Sequence, residues 1–260
     1  MPPNENQNVL ATRQKLDPIR PELGVDGFQE STKARIGEDV YFQGSVKDQQ
    51  RNGFGMMQWE NGTTLEADFV DDRLNGRGRI IHDDGEYYDG QFKENVATGT
   101  GKYVTKDGDV YEGSWENNMP EGYGTLHYGT GHVYQGHFSE GKRSGFGELK
   151  MNNGDTYSGN FAENMFNGQG DYVWRNGNHY NGDFTNNHMD GQGVFVWADG
   201  RSYNGNYMLG KKHGNGRMEW PNGVSYEGNW NMGVQHGEGK LYKNNILQKE
   251  GKWNNGKFVQ

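Results

Sequence analysis

Nine Gly-x-Gly pairs, running from Gly53/Gly55 to Gly237/Gly239, are the first residues whose type and spacing could do chemistry, because glycine-rich backbone can cradle a phosphate. None continues as Gly-x-Gly-x-x-Gly or as Gly-x-x-x-x-Gly-Lys-Ser/Thr, so their reading is close backbone packing. The eight histidines (His82, His127, His132, His137, His179, His188, His213 and His236) fall at unrelated positions without His-x-x-x-His or His-Glu-x-x-His spacing. Gly-x-Ser-x-Gly is absent, the carboxylates are spread along the chain, and there is no cysteine. No nucleophile, acid/base pair, metal site or cofactor site is expected, and the chain reads as non-enzymatic. The remaining chemistry is that of aromatic rings, which recognise partners by stacking and burial.

Those rings are strictly phased. Gly44, Gly90, Gly113, Gly136, Gly159, Gly182, Gly205, Gly228 and Gly251 lie on a series with a step of 23, and Ala67 takes the one remaining place. Two residues before the glycine stand Tyr88, Tyr111, Tyr134, Tyr157, Tyr180, Tyr203 and Tyr226. Two residues after it stand Phe92, Trp115, Phe138, Phe161, Phe184, Tyr207 and Trp230. A fixed period without insertions marks an array in which each unit meets its neighbours in one way. Tyr-x-Gly-x-aromatic alternates with period two, so Tyr111, Gly113 and Trp115 share one face of a strand while Glu112 and Ser114 face the other. Gly168-x-Gly170-x-Tyr172-x-Trp174 and Gly191-x-Gly193-x-Phe195-x-Trp197 alternate alike.

Asn61-Gly62, Asp84-Gly85, Asp107-Gly108, Asn153-Gly154, Asn176-Gly177, Asp199-Gly200 and Asn222-Gly223 are predicted to be the tight hairpin turns, and stretches such as 116–121 and 162–167 the longer loops. Glycine within strands lets a ring lie on the backbone, so one layer can bury ring faces. The predicted fold is all-β: an elongated single-layer antiparallel β-hairpin array of nine 23-residue repeats plus a partial tenth around Gly251 and Trp253. Forty-three glycines and a mean hydropathy of -1.10 leave too little apolar mass for a conventional core, so stability must come from stacked units. The organisation expected is an extended N-terminal tail over 1–39, the array over 40–256 and a short C-terminal end over 257–260. In the tail, Val9, Leu10, Leu16, Ile19, Leu23 and Phe28 could anchor to a partner or fold back on the first repeats.

The unit Tyr-x-Gly-x-Trp/Phe, Gly-x-Gly, Asn/Asp-Gly at a spacing of 23 resembles the MORN repeat (membrane occupation and recognition nexus) over residues 40–256. The first two units depart from it at Phe42/Val46 and Leu65/Ala67, which suggests capping. The resemblance implies a protein-interaction scaffold in a larger assembly, cytoplasmic and cytoskeletal, similar to MORN-only subunits of ciliary radial spoke heads. The outer rings Trp115, Tyr172, Trp174, Phe184, Phe195, Trp197, Tyr207, Trp220 and Trp230 would line a groove for a partner peptide or helix. Gly251 and Trp253, on an open terminal edge, would pair with a second copy or a neighbouring subunit. The alternatives are a phosphoinositide or membrane adaptor and a regulatory module acting on a kinase or methyltransferase in trans. A net charge of -9 disfavours nucleic acid and anionic lipid, with basic pairs confined to Lys142-Arg143 and Lys211-Lys212, and no apolar stretch approaches the roughly 18 residues of a membrane helix.

Overall fold

The computed structural model describes residues 7–17 and 33–259, in which one short helix, Gln7–Arg13, precedes 21 strands. The chain divides into two compact units, residues 1–131 with 138–141 and residues 132–137 with 142–260. Within each unit, successive strands are antiparallel neighbours in a single layer, so the all-β hairpin array holds.

The glycine pairs are where the backbones close up. Gly159 pairs with Gly170 across the strands Thr156–Ala162 and Met165–Val173, and a Cβ on Gly170 would stand 2.5 Å from Cε2 of Tyr157. The ring lies over both glycines. The first glycine of that strand, Gly168, has φ +83° and accommodates the register shift between Gly159 and Phe161. The first repeat uses Phe42 in the same way against Gly55, and with Leu65, Ala67 and Phe69 it forms a small core in place of tyrosines.

The two turn types are exchanged relative to the sequence expectation. The tight two-residue turns are Asp71-Asp72, Glu94-Asn95, Asn117-Asn118, Glu163-Asn164, Asn186-Asn187 and their equivalents, and the five named have φ near +50° and then +65° to +69°. This is type I′ geometry, matched to strand twist. Residues 116–121 and 162–167 are therefore mostly strand: Val110–Glu116 turns at once into Met119–His127. The Asn/Asp-Gly sites form three-residue loops, in which Gly177 donates to Trp174 O (2.9 Å), Trp174 N–H donates to Asn178 O (2.9 Å) and Gly177 has φ +88°. Only the glycine is left-handed there. The preceding Asn serves as an Asx turn, its Oδ1 accepting from Asn178 N–H (3.0 Å). Glycine after Asn suits both loop types, so the dipeptide alone does not choose.

The segment expected to be extended is helical over residues 7–13, and it folds back on the array. A helix of seven residues cannot hold itself. Val9 is fully buried against Ile81 and Tyr87, with Leu16 and Val104 beside them. Arg13 pairs with Glu66 (2.5 Å), and Asp17 O accepts from the buried Arg79, which also holds Asp89 (2.5 Å). All these sheet residues face away from the tyrosines, so the helix covers the opposite face. Ile19, Leu23 and Phe28 lie outside the described residues. The strand Ala34–Arg35 extends the sheet ahead of Val40–Lys47. At the other end, Lys257–Phe258 folds back as a two-residue strand paired with Trp253 and Asn254.

Candidate functional site

Each of Tyr88, Tyr111, Tyr157, Tyr180, Tyr203 and Tyr226 is pinned twice. Its hydroxyl donates to the backbone carbonyl three residues on, Tyr111 to Ser114 (2.8 Å), Tyr157 to Asn160 (2.8 Å) and Tyr180 to Asp183 (3.0 Å), and its ring is gripped edge-on by two aromatics. One comes from its own unit and one from the next: Tyr157 meets Phe161 at 5.1 Å and Phe184 at 5.2 Å, and Tyr203 meets Tyr207 at 5.2 Å and Trp230 at 5.4 Å. The interplanar angles of 85–88° are those of T-shaped pairs, the favoured contact between ring quadrupoles. Burial raises the tyrosine pKa values, to about 12 for Tyr88, Tyr111 and Tyr226.

This ladder divides the expected groove residues. Trp115, Phe184, Tyr207 and Trp230 are buried rungs, between 4% and 8% exposed. Trp115 and Trp230 are fixed further by their indole N–H groups, which donate to Gly101 O and Gly216 O (3.1 Å each). Trp253 is a rung too, 5% exposed, between Tyr226 (5.1 Å) and Phe258 (4.8 Å), and Gly251 pairs with Gly239. By contrast, Tyr172, Trp174, Phe195 and Trp197 form a stair of tilted rings at 4.3, 5.1 and 4.5 Å, in which only Phe195 is buried. Trp220 is half-buried and stands apart from that stair.

A further position escaped the sequence reading. Seven residues after the central glycine, the second strand places Arg51, Leu74, Ala97, Pro120, Phe166, Met189, Lys212 and Gln235 opposite the rung residue, and Arg143 holds the same place in the repeat. Where it is long, it covers the tyrosine: Phe166 stacks on Tyr157 at 3.8 Å, and Arg143 lies over Tyr134 at 5.6 Å. Lys212 stands 4.0 Å from the Trp230 ring, 5.5 Å from Tyr203 and 5.8 Å from Trp197, and burial, then the charge of Arg201, pushes its pKa down to about 8. The position is chemically variable, so no period in residue type could flag it. The basic pairs therefore begin strands and are largely committed, since Lys142 also pairs with Glu163.

Where the cover is small, the face opens. Above Tyr88, at Ala97 and Pro120, lies an apolar pocket of about 470 Å³ walled by Phe92, Tyr103 and Trp115. The opposite face carries cross-strand ion pairs instead, Lys102–Glu112 (2.5 Å), Arg217–Glu227 (3.2 Å) and Lys240–Glu250 (3.0 Å). Among the described residues no cluster of three His, Asp or Glu side chains could hold a metal ion, and no helix is long and apolar enough to cross a membrane.

Comparison with known families finds the MORN repeat at residues 42–64, 88–110, 111–133, 134–156, 157–179, 180–200, 203–225 and 226–245. No curated protein matches. Among solved structures, the TCP10 domain of Danio rerio CPAP in complex with a STIL peptide is similar at 13% identity and TM-score 0.44, over 82% of this chain and 99% of that one. The same domain alone gives 10% identity and TM-score 0.43 over 85% and 100%. The Drosophila melanogaster SAS-4 TCP domain, in complex with a proline-rich motif of Ana2, gives 17% and 0.37 over 60% and 85%.

Proposed function

The chain belongs to the MORN-repeat family, and on that premise we propose that it is a non-catalytic scaffold that holds segments of other proteins against its aromatic face. The observation that carries this reading is the stair Tyr172, Trp174, Phe195 and Trp197, four connected rings of which three are only half-buried, whereas the rung rings Trp115, Phe184, Tyr207 and Trp230 are packed away. A connected patch of large rings open to water is costly for a monomer and favours a covering partner. A role in a cytoskeletal or ciliary assembly rests on the family alone. The commitment of Lys142, Arg143 and Lys212 to neighbours weighs against a lipid-headgroup role for the two basic pairs.

The test is capture of native partners by the full chain. Trp174→Ala with Trp197→Ala is expected to cut recovery at least tenfold, while Val194→Ala with Asn204→Ala on the opposite face leaves it unchanged. Phe195 is unsuited to the test because its burial makes it structural. Equal recovery from both double variants, each shown folded by circular dichroism, rejects the reading.

A further inference from the structure

The repeat contains both a filled and an empty version of one socket. Phe166 is stacked on Tyr157 at 3.8 Å and 17°, and it is ringed edge-on by Phe161 (5.4 Å), Phe184 (5.8 Å) and Tyr172 (6.1 Å). Three repeats earlier the same four positions hold Tyr88, Phe92, Trp115 and Tyr103, while the place of Phe166 is taken by Ala97. The walls keep their mutual geometry there: Tyr88 meets Phe92 at 5.2 Å and Trp115 at 4.8 Å, and Tyr103 meets Trp115 at 6.3 Å. What is missing is the central ring, and the pocket of about 470 Å³ stands where it would be.

On the reading that the aromatic face receives partner segments, we propose that this pocket is a socket for a phenylalanine side chain of a protein partner, seated on Tyr88 as Phe166 is seated on Tyr157. The polar atoms of the walls decide the chemistry. The Tyr88 hydroxyl donates to Gln91 O (3.2 Å), the Tyr103 hydroxyl to Glu86 Oε2 (2.8 Å) and the Trp115 indole to Gly101 O (3.1 Å). The three ring donors are already used, and the remaining polar side chain of the wall, Asn118, has its Oδ1 taken by Ala97 N–H (2.8 Å). A guest with its own buried hydroxyl or charge would therefore find only the exposed Asn118 amide to replace its hydration, whereas an unsubstituted ring needs no replacement. An aliphatic guest fills volume but forgoes the face-to-face and edge-to-face contacts that the filled socket displays. The net charge of -9 favours basic residues on either side of that phenylalanine.

The probe is a peptide with one phenylalanine flanked by lysines, titrated into the full chain at physiological salt, beside peptides with alanine or tyrosine at the centre. The phenylalanine peptide is expected to bind at least tenfold tighter than the alanine peptide and tighter than the tyrosine peptide. Ala97→Phe should abolish that preference while raising Tm, because the chain then fills its own socket. Phe166→Ala should do the reverse, opening an equivalent site over Tyr157 and adding a second binding event. This variant keeps the test decisive if Ala97→Phe folds poorly.

Three results overturn the proposal. One is an Ala97→Phe chain that binds as the parent does. Another is an alanine peptide that binds as well as the phenylalanine peptide. The third is a concentration-dependent dimer that Ala97→Phe dissolves, which assigns the socket to a second copy of the chain. The wider reading fails separately. If the Trp174/Trp197 variant loses native partners while Ala97→Phe binds normally, only the socket is rejected.

Discussion

Two tyrosines that look alike in the sequence are expected to respond in opposite directions to loss of a hydroxyl. The hydroxyl of Tyr180 donates to Asp183 O at 3.0 Å, so Tyr180→Phe strands that carbonyl and should cost about 1–2 kcal/mol. Tyr207 occupies the rung position, and its buried hydroxyl has no partner, so Tyr207→Phe should be neutral or stabilising by up to about 1 kcal/mol. Urea denaturation of both variants measures the difference; equal losses would refute it. The same tyrosines set the alkaline limit. Their folded-state pKa values lie above the ordinary 10, near 12 at Tyr88, Tyr111 and Tyr226, so the stabilisation is whole below pH 10 and lost as pH climbs through 12. Lys212, held near 8 against an ordinary 10.5, contributes with the other sign: its burial penalises the ammonium at neutral pH, and stability rises as pH passes from 8 toward 10. Thermal melts from pH 7 to 11 should show a rise and then a fall, and Lys212→Met should remove the rise. The ring-on-glycine pairing was legible, because Tyr-x-Gly and Gly-x-Gly recur in one phase. That Trp115 and Trp230 are rungs rather than exposed contacts was not, since period two assigns a face but not a depth.

Hairpins are joined to one another by the second residue of the type I′ turn at Asp72, Asn95, Asn118, Asn164 and Asn187. Its side chain accepts from the N–H of the cover residue 21 positions earlier: Asn118 from Ala97 (2.8 Å), Asn187 from Phe166 (2.8 Å) and Asp72 from Arg51 (2.9 Å). Where the cover is Pro120, with no N–H to give, the turn residue is Gly141, with no acceptor to offer. Gly210, by contrast, faces Met189, which has an N–H; open space surrounds its missing Cβ, and its φ of +76° is near the +65° to +69° that asparagine adopts at this turn position. Gly210→Asn should therefore add the bond and stabilise by about 0.5–1 kcal/mol, whereas Gly141→Asn should gain nothing. Matched shifts in Tm would disprove the account. This lock also explains why the turn types were misassigned from sequence. Asn-Asn and Glu-Asn have no glycine to advertise a left-handed backbone, and their second residue is chosen partly for a contact 21 residues away. The docked helix left a fainter trace: Ile81 and Tyr87 are apolar, but they do not stand out by type, since Tyr123, Phe146 and Val194 also lie on that face.

At the scale of the whole chain, each repeat is completed by the rung that the next one supplies, so damage should travel one neighbour and stop. Deleting residues 246–260 removes Trp253 from Tyr226 and should deprotect Val224–Asn231 and Val234–Lys243 in hydrogen exchange while Thr156–Ala162 keeps its protection. Cooperative loss across all strands would instead mean that the units stand or fall together. Period and fold class were legible because they repeat, whereas the division into two units and the open cover positions were not, because they depend on residues that vary between repeats. The ladder also has an optical consequence. Tyrosines held about 5 Å from one another's partners and from Trp115, Trp230 and Trp253 are placed to pass excitation on to indole before they emit. Folded protein excited at the tyrosine band should therefore glow with tryptophan's colour, and the return of tyrosine emission on denaturation would report, rung by rung, where the chain of rings has parted.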